Sequence, residues 1–141
     1  MIKKVFFAVL ICCVMISIIP LSAQATQVDY IQPMWDNTSV FTSNLTFDKT
    51  TGEFTVFVYG KSGVTNITLD VQLYYKNSYG SWVKTNENWQ YDVNQSYFSV
   101  SDTFTGVAGR EYKIEVTGTV TKGSVTEQIN GSATAVCPST T

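Results

Sequence analysis

Histidine does not occur anywhere in this chain. Its absence removes Ser-His-Asp and Cys-His catalysis, most zinc sites, and the side chain most used as a general base near neutral pH. Cysteine is almost as scarce, with three residues among 141. Cys12 and Cys13 fall inside an apolar N-terminal run, so Cys137 is the one thiol expected in a processed protein and no intramolecular disulfide can form. The domain must then be stable by packing alone. No run of like charges, no D-x-D-x-D loop, no internal repeat and no second long apolar run is present. These absences count against an interaction tail, a calcium loop, a repeat array and a membrane-inserted mature chain.

The first apolar run sets the expected address. Lys3 and Lys4 precede an apolar stretch from Val5 to Ile19 broken only by Ser17, and Ala23-Gln24-Ala25 after Pro20 supplies an A-x-A cleavage site. The stretch is about 15 residues long, short of the roughly 20 needed to span a bilayer. Residues 1–25 are therefore expected to be a cleaved signal peptide, with a mature start at Thr26 and a retained N-terminal anchor as the alternative. The expected location is secreted, or at the cell surface. A lipoprotein cysteine is excluded at Cys12, because Ile11 rather than a small residue precedes it. Cleavage of 25 residues from 141 leaves 116, one domain's worth. With the two signal lysines gone, seven basic residues face 11 acidic ones, a net charge of −4 that argues against nucleic acid or an anionic membrane as partner.

From Val40 onward the apolar residues alternate with period two, and no helical periodicity is present. Val40–Phe47 reads as a first strand with Phe41, Leu45 and Phe47 on one side. Asp48 to Gly52 reads as a hairpin whose glycine meets a positive φ. Glu53–Tyr59 has large residues on both faces and reads as a central strand. Asn66–Lys76 alternates most cleanly, with Ile67, Leu69, Val71, Leu73 and Tyr75 facing in. Further strands are expected near Ser81–Thr85, Asn88–Val93, Tyr97–Phe104, Glu111–Thr121 and Val125–Ala135. Seven or eight strands at this spacing mark an all-β antiparallel sandwich, with a small barrel as the competing architecture. The expected division is residues 26–38 as an N-terminal arm, 39–136 as the sandwich and 137–141 as a tail. In the arm, Tyr30, Pro33 and Trp35 show no strand pattern, and Trp35 is expected to cap one end of the core.

Gly109-Arg110-Glu111-Tyr112-Lys113-Ile114-Glu115-Val116 resembles the stretch entering the sixth strand of fibronectin type III and related immunoglobulin-like domains. The resemblance implies that the Tyr112 hydroxyl ties that corner back to upstream backbone while its ring packs in the core. A second resemblance runs along nearly the whole mature chain: Ile31-x-Pro33-x-Trp35, Val71-Gln72-Leu73, Gly80-Ser81-Trp82, Trp89, Gly109-x-x-Tyr112 and Glu127. In that order they are similar to a group of small exported proteins of Gram-positive gut bacteria. That group implies an immunoglobulin-like sandwich and export, and no activity or site. Met34 stands where the group often has arginine, and Cys137 is an addition to its pattern.

Catalysis without histidine would rest on carboxylates. Asp36, Asp70, Glu87, Asp92, Asp102, Glu111, Glu115 and Glu127 are available for a glycosidase pair, yet no spacing singles out two of them. The expectation is a protein that is not an enzyme and needs no cofactor. Asp92 and Asn94 offer too few charges for a calcium site. Aromatics give the stronger lead: Tyr74, Tyr75, Tyr79, Trp82, Trp89 and Tyr91 lie within 18 residues. Trp89, Tyr91 and Tyr74 on an outer face would form a platform for sugar rings or partner side chains, with Gln72, Asn86, Asn88, Gln90 and Asp92 as hydrogen-bonding neighbours. In the competing structural reading, Trp82 is the core tryptophan and the tyrosines are cross-strand pairs. Cys137 is expected to be an exposed thiol, with a disulfide-linked dimer as the alternative. N-x-S/T sequons begin at Asn37, Asn44, Asn66, Asn94 and Asn130, and matter only in a eukaryotic secretory pathway. The sequence thus points to an exported, non-catalytic binding or surface module for an unidentified protein or glycan. A carbohydrate-binding module is the runner-up and a secreted carboxylate hydrolase the third reading.

Overall fold

The computed structural model describes residues 35–139, so the expected signal peptide, residues 26–34 of the arm and the last two residues lie outside the described part. Seven antiparallel strands follow in order: β1 Thr38–Asp48, β2 Thr51–Gly60, β3 Val64–Lys76, β4 Trp82–Val93, β5 Tyr97–Thr105, β6 Glu111–Lys122 and β7 Val125–Val136. They form a three-stranded sheet, β1-β2-β5, and a four-stranded sheet, β4-β3-β6-β7. Two open sheets packed face to face make an immunoglobulin-like sandwich with the fourth strand beside the third, as in the fibronectin type III arrangement, and not a closed barrel.

The inner faces follow the alternation of the sequence. Phe54, Val56 and Val58 of β2 meet Ile67, Leu69, Val71 and Leu73 of β3 and Ile114, Val116 and Val120 of β6, all buried. β2 is central in hydrogen-bonding order, as expected. Its outer residues Phe57 and Tyr59 nevertheless face outward, half-buried and exposed in turn, because no described element packs on the outer side of this sheet. Ser81–Thr85 and Asn88–Val93 are one strand rather than two, which fixes the count at seven. Lys84 pairs with Tyr74 and Asn88 with Gln72, so β4 carries two extra residues opposite Leu73. The side chain of Gln72 fills this bulge: its Nε2 donates to the carbonyls of Leu73, Thr85 and Glu87 at 3.0, 3.0 and 2.9 Å. A buried carboxamide here replaces the ladder bonds that the bulge removes.

Three glycines make room for rings. A Cβ on Gly52 would overlap the Phe104 ring, one on Gly106 would lie 2.6 Å from Phe47 Cε1, and one on Gly131 would lie 2.5 Å from Phe41 Cε1. The expected positive φ at Gly52 is a correction: Gly52 is paired within β2, and the first turn residue, Lys49, takes the left-handed conformation at φ 54°.

Both ends of the described chain are fixed at opposite poles. At one pole the Glu127 carboxylate accepts from the backbone N–H of Asp36, of Asn37 (3.2 Å) and of Thr38 (2.9 Å), and from the Thr38 hydroxyl (2.7 Å). Asn37 Nδ2 donates to the Val120 and Val125 carbonyls at 3.0 and 3.1 Å, which ties the entering chain to the β6–β7 hairpin. Trp35 packs edge-on against Phe41 with centroids 5.7 Å apart, the capping position expected of it. Asn37 is buried, so its sequon cannot carry a glycan in the folded domain. At the other pole the Tyr112 ring is buried and its hydroxyl accepts from the Val107 N–H at 2.9 Å, as the fibronectin-type resemblance implies.

Gly52→Ala is expected to lower stability by about 1–3 kcal/mol, since the methyl must displace a packed ring. Urea unfolding would show a lower midpoint at unchanged slope, whereas Gly80→Ala, with open space around it, would lose only what its positive φ demands.

Candidate functional site

Trp89, Tyr91 and Val93 pair across the strand with Val71, Leu69 and Ile67, so their side chains share the core-facing side of the sheet. Trp89 lies 4.7 Å from Phe54 and 6.5 Å from Phe104 between ring centroids, and Tyr91 lies 5.4 Å from Phe98. Tyr74 pairs with Lys84 and Lys113 on the opposite, outer side. Trp89, Tyr91 and Tyr74 therefore do not make one platform. Trp82 is also reversed: it stands outside, with the ammonium groups of Lys76 and Lys113 at 5.3 and 5.0 Å from its ring centroid, and Trp89 takes the core position. The bulge adds an even number of residues, so alternation stays in phase along β4 and two tryptophans seven positions apart point to opposite sides.

Cys137 is likewise corrected. It is fully buried beneath the β1–β2 turn, with Sγ 3.5 Å from the Lys49 carbonyl oxygen. Its backbone N–H donates to Arg110 O at 2.9 Å and its carbonyl accepts from Gly109 at 2.9 Å. A thiol so placed is neither exposed nor presented to a second chain.

The outer face of the β4-β3-β6-β7 sheet gathers the polar side chains. Asp70, at its middle, accepts from Asn88 Nδ2 at 2.7 Å and from Gln90 Nε2 at 2.8 Å. The Thr68 and Thr119 hydroxyls lie 2.6 Å apart beside it. Two adjoining depressions of about 560 and 520 Å³ share Asp70, Gln90 and Thr117, so the face carries one continuous trough. One end is lined by Gln128, Asn130 and Asp92. The other is lined by Tyr74, Lys84 and Glu115, with Trp82 and Lys113 adjoining.

Electrostatics at the aromatic end are mutually adjusted. Lys113 pairs with Glu115 and sits 4.9 Å from the Tyr74 ring centroid, while Lys76 pairs with Glu111 at 2.8 Å. The Lys113 ammonium holds the Glu115 carboxyl below the usual carboxylate range, and the Tyr74 hydroxyl adds to this against partial burial. Burial, then the hydrogen bond to Glu115, pushes the Tyr74 phenol up. On the core side of β4, Tyr91 has its hydroxyl buried without a hydrogen-bond partner, and burial, followed by the charge of Asp102, raises its pKa.

A glycosidase acid needs a carboxyl held protonated near neutral pH, and Glu115 is shifted the other way. Asp92 is engaged by Asn66, whose Nδ2 reaches Asp92 Oδ1 at 2.7 Å and Asn94 Oδ1 at 3.1 Å. Among the described residues no three histidine, cysteine or acidic side chains converge as a metal site. Sequence reasoning missed Trp82 as the outward-facing ring, although Asn88, Gln90 and Asp92 alternate with Trp89, Tyr91 and Val93 and so already turn the latter inward.

No family model matches the sequence, and no curated protein matches it. Among solved structures the chain is similar to the CARDB domain of a Pyrococcus furiosus protein in complex with di-metal ions. Identity is 15% and the TM-score 0.37, over 70% of this chain and 90% of that one. At that distance the likeness carries no ligand, metal or partner to this chain.

The Glu115 shift has a definite sign in stability. A depressed carboxyl contributes above its ordinary value of 4.5 and loses that contribution as pH falls through the folded-state pKa. Glu115→Gln is expected to flatten the acid limb of the urea midpoint below about pH 5 and to leave the midpoint near pH 7 within a few tenths of a kcal/mol of wild type, as the pair is partly exposed.

Proposed function

We propose that this protein is an exported, non-catalytic binding module that engages its ligand through the outer face of the four-stranded sheet. The observation that carries the reading is the continuous trough centred on Asp70. Its lining presents planar carboxamides, hydroxyls and the carboxylates of Asp70, Asp92 and Glu115, and one end presents the partly buried Trp82 and Tyr74 rings. Such groups reward a ligand with many hydroxyls or peptide groups, since each donor or acceptor turned toward the trough can be matched in direction. Export rests on the basic, apolar and A-x-A segments of residues 1–25. The non-catalytic character is supported by the histidine-free sequence and by the depressed Glu115 carboxyl.

A second reading narrows the ligand to an oligosaccharide. It is favoured by Trp82 and Tyr74 at the end of a row of amides and hydroxyls, where a sugar ring could stack while its neighbours are hydrogen-bonded.

Protein recovered from the medium of its producing cells is expected to begin at Thr26 by N-terminal mass spectrometry; a chain still starting at Met1 would overturn the processed-export reading. On a glycan array and in pull-downs from culture supernatant, Trp82→Ala and Asp70→Ala are each expected to weaken capture by about tenfold, the scale of losing one central contact. Capture equal to wild type in both variants would show that the trough is not the binding face.

A further inference from the structure

The other sheet has an outer face of different chemistry. Register places Val40 beside Tyr59 and Tyr59 beside Tyr97, in one row across all three strands near the pole where the chain enters. These side chains are 36, 49 and 55% exposed, and Phe57, half-buried, stands next to Tyr59 on the same side of β2. Neighbouring strands lie about 4.8 Å apart, so the row is a flat aromatic strip about 10 Å long. Around it the face is nearly all hydroxyls: Thr42, Thr55, Ser99, Ser101 and Thr103. Among the described residues, the outward strand positions of this face carry two charged side chains, Asp48 and Glu53; Glu53 pairs with Thr46 and Thr103, six positions along the strands and about 20 Å from the row.

We infer that the Val40–Tyr59–Tyr97 strip is a stacking platform for a neutral polysaccharide chain, on a surface independent of the trough. Size argues for a slender occupant. Two tyrosines about half exposed and one valine offer roughly 300 Å², well short of the roughly 800 Å² per partner that a stable dimer buries. Charge argues for a neutral one: among the described residues the ammonium nearest the row in sequence, that of Lys61, is given to the Trp35 carbonyl, and no outward strand position beside the row carries a carboxylate to meet a basic peptide. A pyranose presents a flat C–H face to stack on phenol rings and a rim of hydroxyls to meet the flanking Thr and Ser side chains. Two phenols side by side would hold successive sugar units of one chain.

The test uses the secreted protein with insoluble cellulose, insoluble chitin and, as the charged control, insoluble cross-linked polygalacturonate. Wild type is expected to be depleted from solution by at least one neutral polymer, equally at low and high salt, since no ion pair is involved. Tyr59→Ala/Tyr97→Ala should lose at least about tenfold of that retention, while Tyr59→Phe/Tyr97→Phe and Tyr79→Ala, at an exposed tyrosine between β3 and β4, keep it. Both tyrosines are exposed, and an unfolding midpoint near that of wild type would confirm that the alanine variant is folded; if it is not, the single variants Tyr59→Ala and Tyr97→Ala carry the comparison. Retention on neither neutral polymer, retention on polygalacturonate alone, or retention that survives the alanine substitutions would overturn the platform. So would a wild-type dimer by sedimentation that the alanine variant abolishes, because the strip would then belong to a second copy. Loss in Trp82→Ala with retention in the tyrosine variants would overturn the platform and leave the trough reading standing.

Discussion

The sandwich depends on contact between two unlinked sheets. With Cys137 the one cysteine among the described residues, nothing covalent joins β1-β2-β5 to β4-β3-β6-β7 beyond the connecting chain. Phe54 against Trp89, and Phe104 among Phe47, Trp89 and Tyr112, form an aromatic seam across the interface. A fully buried side chain of this size stabilises by roughly 1.5–3 kcal/mol, and a disulfide by about 2–4. Two such side chains therefore do the work of one crosslink, and eleven side chains here are essentially free of solvent. The glycines at 52, 106 and 131 belong to the same economy of space, since each lets a phenylalanine ring lie where a methyl group would otherwise stand.

Much of this was legible in the alternation of apolar residues. The inward set of β3 could be read residue by residue, because Ile67 to Leu73 alternate large aliphatics with Thr, Asp and Gln. Tyr112 could be placed from eight residues, since a corner tyrosine needs a neighbouring strand entry and a free upstream N–H. Other features were hidden for identifiable reasons. β4 looked like two segments because its bulge is closed by Gln72, a residue on another strand. Gly52 looked like a turn glycine because a glycine that seats a ring and one that takes a positive φ are identical in sequence. Trp82 was misplaced because local composition around it is ambiguous and its pairing with Lys76 decides the side, whereas the side of Trp89 was open to reading from the polar residues that alternate with it. Glu127 was visible as a late acid, but its partners Asp36, Asn37 and Thr38 lie about 90 residues away.

The two outer faces then differ because their flanking strands differ. On the larger sheet several charges are met by neighbours: Asp70 by two amides, Glu115 by Lys113, Glu111 by Lys76. Such a face stays hydrated and ordered without a ligand. On the smaller sheet hydroxyls and phenols leave the surface uncharged over most of its length. Edge protection is also divided between them. The bulge interrupts the exposed edge of β4, and Asp102 turns a carboxylate toward the inner side of edge strand β5, two ways of discouraging another chain from pairing there.

The opposed poles give the domain a mechanical direction. The chain enters at the Glu127–Asn37 end and leaves at the Cys137 end. β1 and β7 run the same way in facing sheets, from the first pole to the second. Tension applied through the two termini therefore lies along both outermost strands. It must shear the hydrogen bonds of β1 with β2 and of β7 with β6 together, rather than unzip either ladder one bond at a time. A domain held by packing alone thus meets a pull along its length with its most cooperative contacts.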